Sequence, residues 1–164
     1  MCGIVAYVGS KNCQNLLLEG IKRLEYRGYD PAGLAVLNGT AKLKRLRTVG
    51  KVKMLQDAID ADPTNGKVGI AHTRWATHGV PSEINAHPHQ AGELVLVHNG
   101  IIENHAEIKE RLLQEGVKFS SQTDTEVFAQ LIESHRRKLG GPGFAELAAS
   151  RKLEIVQQAL AAIE

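Results

Sequence analysis

Apolar residues recur along this chain at spacings that predict a mixture of short buried strands and amphipathic helices. Residues 3–9, rich in Ile, Val and Tyr and bounded by Gly3 and Gly9, read as a buried strand. From about Asn12 to Glu25, Leu17, Ile21 and Leu24 return at helical steps and leave a charged opposite face, which predicts a helix. A shaped loop follows over residues 26–33, with Gly28, Pro31 and Gly33. Leu34 to Leu37 then predicts a strand, and Asn38-Gly39 a tight hairpin into a return strand from Lys42 to Val49. A helix over Val52 to Ile59 ends before the breaker Asp62-Pro63-Thr64-Asn65-Gly66.

Strands are predicted at Val68 to Thr73 and Leu94 to His98, with a long loop holding Gly79, Pro81 and Pro88 between them. Asn104 with Glu107 and Thr123 with Glu126 both carry the spacing of a helix N-terminal capping box. They predict helices that run to Gly116 and to about Lys138. Gly140-Gly141-Pro142-Gly143 reads as a hinge before a last amphipathic helix over Phe144 to Ile163. Strand and helix alternate, but a hairpin interrupts them, so the class is α+β without a simple doubly wound sheet.

Composition narrows the function. The 164 residues fit one domain, and the formal net charge of +2 is far from the basic balance of a dedicated nucleic-acid binder. Residues 42–53 do collect Lys42, Lys44, Arg45, Arg47, Lys51 and Lys53, but no aromatic residue is present there for base stacking, so a solvated edge is expected. Cys2 and Cys13 are too few for a disulfide framework, no apolar run approaches the roughly eighteen residues of a membrane span, and no basic leader or lipidation signal is expected. A reducing, cytoplasmic setting with no membrane partner is the expectation. No phosphate-binding glycine loop occurs, and His72, His78, His87 and His89 have no carboxylate or thiol completing a metal pattern, so no cofactor and no metal are expected. The histidines are read as shaping a loop.

Four positions carry candidate chemistry. Cys2 follows Met1, and removal of that methionine would leave a thiol and a free α-amine on one residue, nucleophile and base together. The alternative is a small buried hydrophobe opening a strand. Arg74, where a strand ends, can grip a carboxylate bidentately with Thr77 beside it, or serve in an ion pair. Asn99 and Gly100 can point an amide and an unhindered backbone N–H at a developing oxyanion, or form only a turn. Asp124 can receive an ammonium or complement a helix N-terminus.

These segments together resemble the glutaminase domain of the glutamine–fructose-6-phosphate aminotransferases, class II glutamine amidotransferases. The resemblance is carried by residues 1–5, 23–30, 69–79, 85–89, 97–105 and 123–127. It implies an N-terminal-nucleophile hydrolase fold, an αββα sandwich of two antiparallel sheets between helical layers. It implies Cys2 as nucleophile and base, Asn99 and Gly100 as the oxyanion hole, and Arg74, Thr77 and His78 on the carboxylate of L-glutamine with Asp124 on its amine. Trp75 would close over glutamine, and Arg27 and Gly28 would shape the pocket. Pro31 departs from the serine usual in the family at that position.

Residues 1–164 would then be the N-terminal part of the glutaminase domain, incomplete at the C-terminal end of the fold and without the sugar isomerase domains. The expectation is a chain that turns over glutamine weakly or not at all by itself. In the complete enzyme, a homodimer, ammonia would pass to fructose 6-phosphate. The rival readings are another N-terminal-cysteine amidotransferase and a non-catalytic glutamine-binding fragment.

Overall fold

The computed structural model describes residues 2–27, 31–38, 42–74 and 81–164. They divide into two units, the first comprising residues up to Pro88 with Val97–Asn99, the second His89–Leu96 with Gly100–Glu164.

The first unit is built on a four-stranded antiparallel sheet in the order β1-β4-β2-β3, with β1 Gly3–Val8, β2 Ala32–Asn38, β3 Leu43–Thr48 and β4 Gly66–Thr73. The connection between β2 and β3 is anchored by Asn38, whose N–H donates to the Lys42 carbonyl at 3.0 Å and whose side chain accepts the Lys42 N–H at 2.9 Å. Gly39 lies outside the described residues. One face of the sheet carries helices α1 Cys13–Leu24 and α2 Val52–Ala61. Leu17, Leu18 and Ile21 of α1, Leu55 and Ile59 of α2, and Leu34, Val36 and Ala71 of the sheet form its core. Each buried leucine or isoleucine contributes about 1.5–3 kcal/mol of transfer free energy. The predicted apolar stripe is therefore the packed face.

α1 starts where Asn12 Oδ1 accepts the Gln14 N–H at 3.2 Å, and the same oxygen takes the Gly66 N–H at 3.3 Å, tying the helix start to the start of β4. α1 then lies so close to β4 that a Cβ on Gly69 would sit 2.7 Å from the Leu17 Cδ1. Lys51 provides no cap for α2. Glu25, in the short 3-10 turn after α1, accepts the Val52 N–H at 3.0 Å instead.

The second unit holds a hairpin of β5 His89–Ala91 and β6 Leu94–Leu96, and helices α3 His105–Gln114, α4 Asp124–Lys138 and α5 Ala149–Leu160. Its core gathers Ile108, Leu112, Val127, Leu131, Ile132, Phe144 and Ile155. The Thr123 cap forms as expected, its hydroxyl accepting the Glu126 N–H at 3.2 Å.

Three expectations need correcting. Asn104 does not cap α3: its amide accepts the Glu164 N–H and donates to the Ala162 carbonyl, so a tertiary partner wins over the local one. The helix expected over Phe144 to Ile163 is broken. Residues 144–146 form a 3-10 turn held by Glu93, which accepts the Ala145 N–H at 2.9 Å, and Leu147 and Ala148 are extended. The strand expected at Leu94 to His98 is only Leu94–Leu96, paired with an unexpected short strand at His89–Ala91.

Candidate active site

The sheet register decides which candidates meet. Gly3 pairs with Thr73 and Ile4 with His72, so Cys2 and Arg74 are the next residues at the same end of neighbouring strands. Cys2 is half-buried there, whereas Cys13 is buried in the core of the first unit, where desolvation pushes its thiol above the ordinary value. Only Cys2 has the exposure that a nucleophile needs. Arg74 is buried, and its N–H donates to the carbonyl of Pro31 at 2.8 Å. The proline is accommodated because the contact uses its carbonyl and no N–H.

Asn99 reaches the same place from the residues 97–99 that join the first unit. Its Nδ2 donates to the Cys2 carbonyl at 3.3 Å, and its Oδ1 lies 2.8 Å from His72 Nε2. Asn99 is exposed, but His72 is only 1% exposed. Burial pushes His72 down to about 4, against the pull of its hydrogen bonds to Asn99 and the His98 backbone; the charges of Arg74 and His98 push it the same way as burial. The ring is neutral at pH 7. It stacks on His87, with centroids 4.1 Å apart and 25° between the planes.

His87 is itself held by β3. Arg47 donates to the carbonyls of Ile84 and Ala86, both at 3.2 Å, and Arg45 to that of Pro88 at 3.3 Å. This corrects the expectation that the basic run is only a solvated edge. Its arginines are half-buried, and their guanidinium groups fasten the segment over residues 84–88.

In the second unit, Asp124 opens α4 and is buried. Its Oδ2 accepts the Ile102 N–H at 3.1 Å, and its Oδ1 accepts the Thr125 N–H at 2.9 Å and the Thr125 hydroxyl at 3.5 Å, which leaves a lone pair on Oδ2. Glu126, two residues on in the same helix, accepts the Ser120 N–H and hydroxyl, both at 2.8 Å, and the Ser121 N–H at 2.5 Å. Burial pushes its carboxyl up, but the serine hydrogen bonds outweigh this and hold it below the ordinary value. His89 Nε2 pairs with Thr123 Oγ1 at 2.9 Å, so this histidine braces the start of α4.

Gly100 follows Asn99 in the chain and is exposed. Trp75, Thr77, His78 and Gly28 lie outside the described residues, as does the side chain of Arg27. The first unit thus brings together Cys2, Arg74 and Asn99. Sequence reasoning missed the hydrogen bond that joins His72 to Asn99 and the arginines behind His87. A polar residue on the strand Val68 to Thr73, otherwise apolar at its inner positions, was the available signal.

A family model described as a glutamine amidotransferase domain matches residues 57–140. The glutamine–fructose-6-phosphate aminotransferase [isomerizing] of Vibrio vulnificus (strain YJ016) is 51% identical over 164 residues, which is 100% of this chain and 25% of that protein. The protein of the same name from Vibrio parahaemolyticus is 57% identical over 133 residues, 81% of this chain and 22% of the relative. That of Escherichia coli (strain K12) is 56% identical over 132 residues, 80% and 22% respectively. The chain thus spans about a quarter of the length of the curated relatives it matches.

Among solved structures, the glutamine phosphoribosylpyrophosphate amidotransferase of B. subtilis, complexed with ADP and GMP, overlaps all of this chain with a TM-score of 0.78 at 24% identity. The overlap covers 33% of that protein. A structure described as the allosteric regulatory enzyme of purine biosynthesis overlaps with a TM-score of 0.79 at 25% identity, again over 100% and 33%. The fold is the α+β, N-terminal-nucleophile type expected above.

Proposed function

Because this chain belongs to the glutamine amidotransferase family, we propose that it attacks the side-chain amide of L-glutamine with the thiol of Cys2 and releases ammonia. Once Met1 is removed, the neutral α-amine of Cys2 takes the thiol proton, directly or through one water. The thiolate adds to the amide carbon, and the oxygen that becomes negative is received by Asn99 Nδ2 and the Gly100 N–H. Collapse breaks the C–N bond. The leaving nitrogen takes the proton held by the α-ammonium and departs as ammonia, leaving a γ-glutamyl thioester. Water then cleaves this ester to glutamate and restores the thiol.

Arg74, Thr77 and His78 hold the substrate carboxylate in this reading, and Asp124 its ammonium. Trp75 closes over the bound glutamine, and Arg27 and Gly28 shape the pocket wall. In the longer protein the ammonia goes to fructose 6-phosphate, the second substrate in the names of the curated relatives; the same reading makes the product glucosamine 6-phosphate and the protein a cytoplasmic homodimer. No helix among the described residues is long and apolar enough to cross a membrane.

The observation that supports the reading is the Asn99 amide donating to the carbonyl of Cys2 at 3.3 Å, an amide donor beside a half-buried N-terminal thiol. Intact mass after treatment with a glutamine-like electrophile tests it. One adduct on Met1-processed protein, lost in Cys2→Ser and suppressed by excess glutamine, is the expected result. Glutamine binding with no adduct would point to a non-catalytic module.

A further inference from the structure

The pairing of a buried histidine with an exposed amide carries a role that the reaction above does not assign. Asn99 Nδ2 faces the Cys2 carbonyl, which can only accept, so the nitrogen of the amide must be the atom on that side. Its Oδ1 is therefore the atom 2.8 Å from His72 Nε2, and an amide oxygen there requires a proton on that ring nitrogen. A neutral imidazole has one N–H, and His72 Nδ1 is buried with no hydrogen-bond partner, so the proton sits on Nε2 facing the amide oxygen that the Cys2 carbonyl orients. We infer that His72 is the positioning residue of the oxyanion site: its Nε2–H holds Asn99 Oδ1, which turns the amide NH₂ toward Cys2 and leaves one N–H for the reacting oxygen. This rests on the glutamine-hydrolysis reading for its catalytic consequence, but its geometry stands apart from it.

Three features make His72 suited to the task. An exposed asparagine samples several rotamers, and a partner that does not itself move removes that freedom before substrate arrives. His72 does not move readily: it is 1% exposed, lies on β4, and is stacked on His87 at 4.1 Å. Burial also keeps it neutral, so the proton count that sets the tautomer is constant through the physiological range. Finally, donation into Oδ1 polarises the amide and strengthens the N–H groups on its other end.

Two isosteric replacements separate this role from simple core packing. The terminal nitrogen of Gln falls near the Nε2 of histidine, and that of Asn near the Nδ1. In the full-length protein, His72→Gln should therefore keep kcat for glutamate release within a fewfold of the parent, while His72→Asn lowers it roughly tenfold to a hundredfold with KM within about twofold. In an Asn99→Ala background His72→Asn should cost nothing more. Equal effects of Gln and Asn, or additive losses in the double variant, would overturn the inference.

Nitrogen-15 NMR of histidine-labelled protein provides a readout that needs no turnover. An Nε2–H tautomer for His72, unchanged from pH 8 to pH 6, is expected, and an Nδ1–H tautomer would overturn the inference even if the variants fold poorly. The expected tautomer, found together with no Cys2-dependent glutamate release from the full-length protein, would uphold the positioning of Asn99 and sink the hydrolysis reading.

Discussion

Gly33 on β2 faces the carbonyl oxygen of His87, and a Cβ at that position would lie 2.2 Å from it. The Leu46 carbonyl stands on the other side at 2.8 Å. Both neighbours are backbone and cannot step aside by changing rotamer. Gly33→Ala should therefore cost about 1–3 kcal/mol, read as a lower denaturant midpoint at unchanged m-value. It should also weaken the stack of His87 on His72, seen as a shift of both ring resonances.

Glu126 offers a second test, in the other unit. Its carboxylate receives three donors, Ser120 N–H, Ser120 Oγ–H and Ser121 N–H. Truncation to Ala would leave these groups unpaired near the start of α4, with a loss of about 2–3 kcal/mol expected by chemical denaturation. Glu126→Gln, which retains an acceptor oxygen, should lose less than Glu126→Ala.

Acid sensitivity should begin with His72. In the unfolded chain this ring takes a proton near pH 6.5, and in the folded protein only near 4. The unfolded state therefore binds more protons between those values, so the stability from the neutral ring is whole above pH 6.5 and falls as pH drops toward 4, by up to about 3 kcal/mol. His135, also lowered by burial, acts with the same sign. Glu126 and Glu133 lie below their ordinary 4.5, so their contribution is present above that pH and is lost below it. Melting temperatures at pH 7 and pH 5 should differ less in His72→Gln than in the parent. Among the described residues, the groups that face His72 are Asn99, His87, His98 and Arg74, and none of these supplies an anion to hold a charged ring.

Asn99 and Arg74 should separate kinetically. In the full-length protein, Asn99→Ala removes a donor used on charge that develops only in the transition state, so kcat should fall roughly 10²- to 10³-fold with KM little changed. Arg74→Lys keeps a cation but loses the planar fork that matches a carboxylate, and should mainly raise KM for glutamine. Steady-state glutamate release on both variants would reverse these assignments if Asn99→Ala changed only KM or Arg74→Lys were silent.

Local chemistry made much of the first unit legible. The α1 stripe of Leu17 and Ile21 and the Thr123 cap form because their partners lie within a few residues or on one helix face. Legibility failed where a distant group decided the outcome. Nothing between Phe144 and Ala148 breaks a helix by composition, and the interruption is set by Glu93, 52 residues away. Asn104 has the spacing of a cap but is taken by Ala162 and Glu164. At the site, Cys2 and Asn99 could be singled out one by one, whereas the link between His72 and Asn99 spans 27 residues and exists only once the strands are paired. β5 is three residues long, too short for any periodicity to declare it.

The guanidinium groups of Arg45 and Arg47 give the edge strand β3 a mechanical part in chemistry it never touches. From Arg47 the chain of support runs through the Ala86 carbonyl to the His87 ring, on to His72 and then to the amide of Asn99. A search for reactive groups would pass over β3 entirely, yet slackening its grip should blur the aim of that amide without altering any group that meets substrate. The tolerance of this strand to substitution is thus set by how still its far end must hold a segment of backbone, and lysine, which lacks the planar Nη1 that reaches both the Ile84 and Ala86 carbonyls, would be a poor replacement at position 47.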